Sequence, residues 1–325
     1  MKKIFKRIFL VLAIILIVLV SFVLSSWNKK FDVSMPDIKA STDSAIIARG
    51  KYLVYGPSHC ATCHIPMEKY NDVEKGEQIP LSGGWELDIP PGIFRAPNIT
   101  PDNETGIGKY TDGQLARALR FSVKHDNTTL FPFMPYQEMT DEDLTAIISF
   151  LRSQKPVKNK VKRSELKFLG KALSAFGLLE PEKPKNITQK TIYRDTTKDY
   201  GKYLANVIAN CYGCHTERNV KTGEFIGKPF AGGFVMKEKS KGLTFITPNL
   251  TPDNETGVIA QWNKKAFINR FRQGPIYEFS PMPWGAFSRM DENDLKALYE
   301  YFASLPAVKN KIEKTIYKND EELPD

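Results

Sequence analysis

Cysteine and histidine are scarce in this chain, with four of each among 325 residues. All four cysteines fall in two short stretches, Cys60-Ala61-Thr62-Cys63-His64 and Cys211-Tyr212-Gly213-Cys214-His215. A zinc site on each pair would need two more ligands, and only His59 and His125 are left over, which disfavours zinc. A disulfide or redox C-x-x-C would use the thiols but leave the histidine after each pair without a reason. C-x-x-C-H is the attachment pattern of a c-type haem. Its two thiols form thioethers to the vinyl groups of one porphyrin, and the adjacent histidine reaches the iron. The expectation is two covalently bound haem c groups, held by Cys60, Cys63, Cys211 and Cys214, with His64 and His215 on the irons.

Unbalanced charge is also missing. The formal charge is +9, but Lys2, Lys3, Lys6 and Arg7 supply four of those units and leave +5 on the rest. Two propionates per haem bring that nearer neutrality, so nucleic acid is not an expected partner. A local cluster remains at Lys155, Lys158, Lys160, Lys162 and Arg163, read as a solvated linker, with lipid headgroups or an acidic partner as the alternative. The N-terminal run Ile8 to Leu24 contains one polar residue, Ser21, in seventeen. It lacks a small-x-small cleavage site after it and a cysteine for lipid attachment, so an uncleaved signal anchor is expected over a cleaved signal. The four cations ahead of it hold that end in the cytoplasm and send the rest across the membrane. The expected location is the bacterial cytoplasmic membrane, with the haem-binding part on the periplasmic side.

Past the anchor the chain repeats itself at a spacing of 151 residues. Gly50-Lys51-Tyr52-Leu53 returns as Gly201-Lys202-Tyr203-Leu204, Thr100 to Gly106 returns unchanged as Thr251 to Gly257, and Val157 to Val161 returns as Val308 to Ile312. The identical seven-residue loop reads as a turn scaffold, since its acids lack calcium-loop spacing. Apolar residues recur at helical spacing in Ser44 to Tyr55, after Thr111-Asp112 (Leu115, Ala118, Leu119, Val123), and after Thr140, where Thr140 to Asp143 has the form of a capping box. Few segments alternate with period two, so the modules are expected to be all-α. The resulting division is an anchor at 1–30, a tether at 31–43, a module at 44–161, a helix and linker at 162–194, a second module at 195–312, and a loosely held polar tail at 313–325. Leu166 to Leu179 is amphipathic and is read as a packing helix between modules, with a membrane-surface helix as the alternative.

The chemistry of such a centre turns on the sixth iron ligand. Each module offers two methionines, Met134 and Met139, then Met282 and Met290. Met139 and Met290 precede the N-cap positions Thr140 and Asp291 with a leucine at N4, as a hydrophobic staple requires. Met134 and Met282 each precede a proline in an aromatic loop that can hold sulfur in place and pack rings on a porphyrin. Met134 and Met282 are therefore the favoured axial ligands, with core packing as the alternative. His59 aligns with Asn210 and His125 with no histidine, so both are read as surface residues.

These features resemble the class I cytochrome c fold in two tandem copies. More narrowly they resemble the membrane-attached multihaem cytochrome c subunits of alcohol and gluconate-type dehydrogenases. The shared order is G-x-Y-L, C-x-x-C-H, P-N-[IL]-T-P-D-x-x-T-G, a helix opening near T-D, an M-P-Y loop and D-x-D-L, over residues 44–160 and 195–312. The resemblance implies His64 with Met134 and His215 with Met282 as iron ligand pairs. It also implies a protein partner such as a quinoprotein or flavoprotein dehydrogenase, or a terminal oxidase. Those subunits commonly carry three haems and attach through a C-terminal segment, whereas this chain has two motifs and an N-terminal run. No catalytic constellation is recognisable, so the expected role is a membrane-tethered electron carrier and not an enzyme. The alternatives are a di-haem peroxidase with one open haem and a sensing or structural haem module.

Overall fold

The computed structural model describes every residue except 1, 187–189, 221, 239–240, 278, 319 and 324–325; small parts of the expected linker and tail lie outside the described residues. Helix α1 (Lys2–Ser26) is 25 residues long, about 37 Å at 1.5 Å per residue, and so longer than the ~30 Å hydrocarbon core of a bilayer. Its side chains are exposed almost throughout; only Val23 is buried. The stretch expected as a tether is instead laid against the first repeat. The Phe31 amide donates to Asn127 O at 2.8 Å, Ala40 N to Asp112 Oδ2 at 2.8 Å and Ser41 N to Ser149 Oγ at 2.8 Å.

In the first repeat α2 (Ser44–Tyr55) is capped by the Asp43 carboxylate, which accepts from the Ala45 and Ile46 amides. Then come two 3₁₀ turns (Cys60–Thr62 and Met67–Lys69), α3 (Tyr70–Glu74), β1 (Glu86–Ile89), β2 (Gly92–Arg95), α4 (Asp112–Phe121), α5 (Asp141–Ser153) and β3 (Glu165–Leu166). Helix α6 (Phe168–Ala175) follows. The second repeat runs through α7 (Lys198–Tyr203), continued as a π turn over Leu204–Ile208, then α8 (Cys211–Cys214), β4 (Val235–Glu238) and β5 (Leu243–Ile246). A 3₁₀ turn (Ile259–Gln261), α9 (Lys264–Arg272), α10 (Trp284–Ser288), α11 (Glu292–Ala303) and β6 (Ile316–Lys318) complete it.

The chain is not all-α: beside the helices, the described residues form two three-stranded antiparallel sheets, β1-β2-β3 and β4-β5-β6. Strands of two to four residues are too short to display an alternating pattern. The third strand of each sheet comes from beyond the last helix of its repeat, pairing Gly92 with Leu166 and Phe245 with Ile316. Strand β6 therefore ties down part of the stretch read as a free tail.

Within each repeat the first and last helices cross closely over a glycine. A Cβ on Gly50 would lie 1.8 Å from Ala146 O, and one on Gly201 would lie 1.9 Å from Ala297 O. Only glycine allows that approach, which explains the glycine of the recurring G-x-Y-L. The leucine that ends this motif, Leu53 or Leu204, is fully buried.

The tyrosine joins the two repeats. Tyr52 Oη accepts from the Asp291 amide at 2.9 Å and donates to Asp294 Oδ2 at 2.7 Å. Tyr203 Oη accepts from the Thr140 amide at 3.1 Å and donates to Asp143 Oδ2 at 2.9 Å. Each partner is the other's counterpart one repeat away, so the contact has an internal two-fold. Arg49 breaks the symmetry, because its counterpart is Tyr200. It grips Asp143 with two bonds of 2.9 and 3.2 Å and reaches Tyr200 Oη at 3.4 Å. These bonds also correct the capping box expected at Thr140. Its hydroxyl accepts from the Asp143 amide, but the Asp143 carboxylate is taken by Arg49 and Tyr203. The complete box is at Thr111 with Gln114. On α4 it is Ala116, Arg117 and Arg120 that are buried, while Leu115 and Leu119 are half-buried and Val123 lies beyond the helix.

Candidate functional site

Each C-x-x-C-H motif follows a residue in the left-handed region, His59 (φ 38°) and Asn210 (φ 51°). Asn and His are among the side chains that tolerate this conformation best. This gives the His59/Asn210 position a backbone reason that ligand arguments do not reach. The backbone then turns tightly, with the His64 amide bonding to Cys60 O at 3.0 Å and the His215 amide to Cys211 O at 2.8 Å.

Both histidines are oriented in the same way. His64 Nδ1 lies 2.9 Å from Pro97 O, and His215 Nδ1 lies 3.0 Å from Pro248 O. Donation from Nδ1 to a carbonyl fixes the tautomer that leaves Nε2 free as a ligand. Burial keeps both imidazoles below their ordinary pKa, against the opposing pull of the proline carbonyls, and so neutral, as a metal ligand requires. This donor set fits a haem iron. It does not fit a redox dithiol: burial pushes the Cys60 and Cys211 thiols up to about 12, whereas a working C-x-x-C depends on a lowered thiol. Among the described residues no cluster of three or more His, Cys, Asp or Glu could hold a metal ion by itself.

The repeated loop explains how the proline carbonyl is placed. Asn98, directly after Pro97, donates from Nδ2 to Thr105 Oγ1 at 3.1 Å and to Val157 O at 2.7 Å, while its Oδ1 accepts from the Thr100 amide and hydroxyl. Asn249 repeats this with Thr256, Val308 and Thr251. Asp102 Oδ1 accepts from the Glu104 and Thr105 amides and the Thr105 hydroxyl, which holds its carboxyl below the usual range; Asp253 does the same. The V-K-N-K segment is the other half of the clasp: Asn159 N donates to Thr105 Oγ1, and Asn310 N to Thr256 Oγ1. Lys158, from the basic cluster, pairs with Glu104. The turn scaffold is thus a support for the histidine, a role that its composition does not reveal.

The two methionine pairs occupy different places. Met139 and Met290 are fully buried in the core that also holds Leu144 and Leu295. Met134 and Met282 are half-buried at its margin. The Met134 loop is drawn back to the first motif by Tyr136, whose hydroxyl lies beside Cys60 and donates to Ser58 O at 2.5 Å. In the same loop Phe131 lies 4.2 Å from Phe94 of β2 in a tilted contact, and Phe133 meets Trp85, just before β1, edge-on at 5.8 Å. The Met282 loop leads into α10, and Arg270 lies 3.7 Å over the Trp284 ring. His125 stacks on Tyr110 with centroids 4.2 Å apart; His59 meets Phe287 of the other repeat edge-on at 5.7 Å.

Residues 47–155 match the cytochrome c family model. The chain is similar to the cytochrome c subunit of quinone alcohol dehydrogenase from Gluconobacter oxydans, at 30% identity over 82% of this chain and 56% of that one. It is similar to the fructose dehydrogenase cytochrome subunit of Gluconobacter japonicus, at 27% identity over 82% of this chain and 54% of that one. A diheme cytochrome c-type protein of Cereibacter sphaeroides is 24% identical over 78% of this chain and 84% of its own length. The chain thus spans little more than half the length of the first two. Residues 47–155, around the first motif, thus form a domain of the cytochrome c family, and similarity to cytochrome c subunits and to a diheme cytochrome extends along most of the sequence.

Proposed function

We propose that the chain is a membrane-tethered di-haem cytochrome c of two tandem domains, which passes single electrons from a periplasmic dehydrogenase toward the respiratory chain. The observation that carries this reading is the duplicated histidine support: at both motifs an Nδ1–proline carbonyl bond leaves Nε2 of the imidazole free beside two half-buried thiols. The bound haem supplies a one-electron iron couple.

In this reading Cys60, Cys63, Cys211 and Cys214 make the thioether links, and His64 and His215 bind through Nε2. Met134 and Met282 are the sulfur ligands, a pairing that favours the reduced iron and closes the site to substrate. The Asn98 and Asn249 clasps keep the imidazoles from turning with the redox state. Helix α1 holds the domains at the cytoplasmic membrane, with its Lys2, Lys3, Lys6 and Arg7 end inside. A quinoprotein or flavoprotein dehydrogenase is the proposed donor, on the strength of the subunits that the relatives' names describe, and a quinone or terminal oxidase the acceptor.

The test is a haem count and spectrum of the membrane-extracted full chain. Two haems per chain are expected, with a ferric methionine band that Met134→Ala and Met282→Ala each diminish. One haem per chain, or turnover of peroxide by the intact protein, would overturn the reading.

A further inference from the structure

Helix α6 does not lie between the repeats. It is seated on the β1–β2 turn and against the C-terminal end of α1. A Cβ on Gly170 would lie 2.1 Å from Pro91 O, the Lys167 amide donates to the same carbonyl at 3.0 Å, and Ser174 Oγ donates to Trp27 O at 2.6 Å. Phe22 of α1 and Phe176 are 5.4 Å apart. Small residues, Gly170, Ser174 and Ala175, take the buried side. The large apolar ones are left outside: Phe168, Leu169, Phe176 and Leu178 are 54%, 47%, 55% and 73% exposed. This arrangement is the reverse of a helix that packs through its bulky face.

Through the Phe176–Phe22 contact the bare apolar side chains adjoin α1, whose Phe22 and Leu24 are themselves exposed. They lie at the level where that helix ends and polar sequence begins. Cations ring the same level. Lys171 sits 5.1 Å over the Trp27 ring, Lys30 is exposed with its Nζ on Asp126 O, and Lys29 lies beside Gly177, where the Glu180 carboxylate also reaches. Lys167 is paired with Asp88 and contributes no free charge. An indole at the helix end, lysines around it and exposed Phe and Leu on a short helix across it match an interfacial membrane contact.

We infer that α6 and its following turn, Phe168 to Leu178, form a second membrane contact that dips into the anionic headgroup layer beside α1. Together with the Phe31–Asn127 and Ala40–Asp112 bonds, it sets the tilt of the repeats on the bilayer, which one spanning helix alone leaves free to swivel. The inference rests on the membrane-tethered reading above.

The experiment places a fluorophore on Leu178→Cys in the full-length holoprotein, whose native cysteines are consumed by haem, with Leu24→Cys and Val220→Cys as references. The chains are reconstituted into phosphatidylcholine–phosphatidylglycerol nanodiscs with and without brominated acyl chains, and an unchanged haem spectrum verifies folding. Strong loss of fluorescence at Leu178 and Leu24, with none at Val220, is the expected result. Quenching at Leu24 but not at Leu178 overturns the inference and leaves the tether standing. A Leu178 probe that is shielded without bromine quenching points to a second copy or a protein partner and also overturns it. Absence of quenching at Leu24 overturns the tether and the inference together.

Discussion

Removing the Tyr52 hydroxyl should weaken the joint between the repeats more than removing that of Tyr203, and by an amount that depends on pH. Each hydroxyl accepts one helix-terminal amide and donates to one buried carboxylate. After Tyr203→Phe, Asp143 keeps two guanidinium bonds from Arg49, so the cost is about 1.5 kcal/mol, in the range of a hydrogen bond to a charged group with a partner to spare. After Tyr52→Phe, Asp294 loses its 2.7 Å donor and keeps the Tyr200 hydroxyl and the nearby charge of Arg49, while burial already holds its carboxyl above the ordinary range. A buried carboxylate left on one neutral donor, without the two guanidinium bonds that Asp143 retains, costs about 2–3 kcal/mol. The sign of the pH effect follows from the raised carboxyl. Between the ordinary carboxylate pKa and the higher folded value, the folded chain holds a proton that the unfolded chain does not, so this group's contribution is lost as pH rises through that window. Tyr52→Phe lifts the folded value further, and its penalty should shrink on acidification as Asp294 protonates. Guanidinium unfolding of the full-length holoprotein in detergent, followed by far-ultraviolet dichroism at neutral and mildly acidic pH, measures both variants. Equal costs at every pH, or a Tyr52→Phe cost below ~0.5 kcal/mol, within the range of an ordinary surface change, would refute the reasoning.

Three further outcomes follow from the same geometry. Gly50→Ala and Gly201→Ala place a methyl less than 2 Å from a backbone carbonyl; each should cost at least the ~1–3 kcal/mol of overpacking, read as a lower unfolding midpoint. Asn98→Ala and Asn249→Ala should loosen the Pro97 and Pro248 carbonyls, broaden the haem electron-spin signal of their own motif only, and cost about 2 kcal/mol for the buried groups left unpaired. Met139→Ala and Met290→Ala should lower stability by about 2–5 kcal/mol, as truncation of a buried methionine does, while leaving the ferric methionine band intact. Loss of that band in either variant would reverse the assignment of Met134 and Met282.

Much of the chemistry was legible in the chain because it rests on covalent and short-range rules. C-x-x-C-H needs no tertiary context, Thr111 marks a helix start by its own hydrogen bond, and a repeat of 151 residues exposes the equivalent positions. What stayed hidden depends on partners far along the chain. The two sheets close through Glu165–Leu166 and Ile316–Lys318, strands too short to carry a pattern. Asp143 reads as the last residue of a capping box until Arg49 and Tyr203 are seen to occupy it. Helix α6 has amphipathic periodicity, but periodicity cannot say which face is buried, and here the small residues are.

The exchange of tyrosines between the repeats has a consequence for how the spacing of the two motifs is kept. The junction is isologous, as between the subunits of a homodimer, although one chain supplies both sides. Relative placement of the two C-x-x-C-H turns is therefore held by Tyr52, Asp143, Tyr203 and Asp294 and the helices that carry them, together with the Glu74–Gly285 and Arg289–Tyr55 bonds across the same joint. The connecting segment Glu180 to Lys185 contributes only chain continuity: nicked or lengthened, it should leave the separation of the two motifs unchanged.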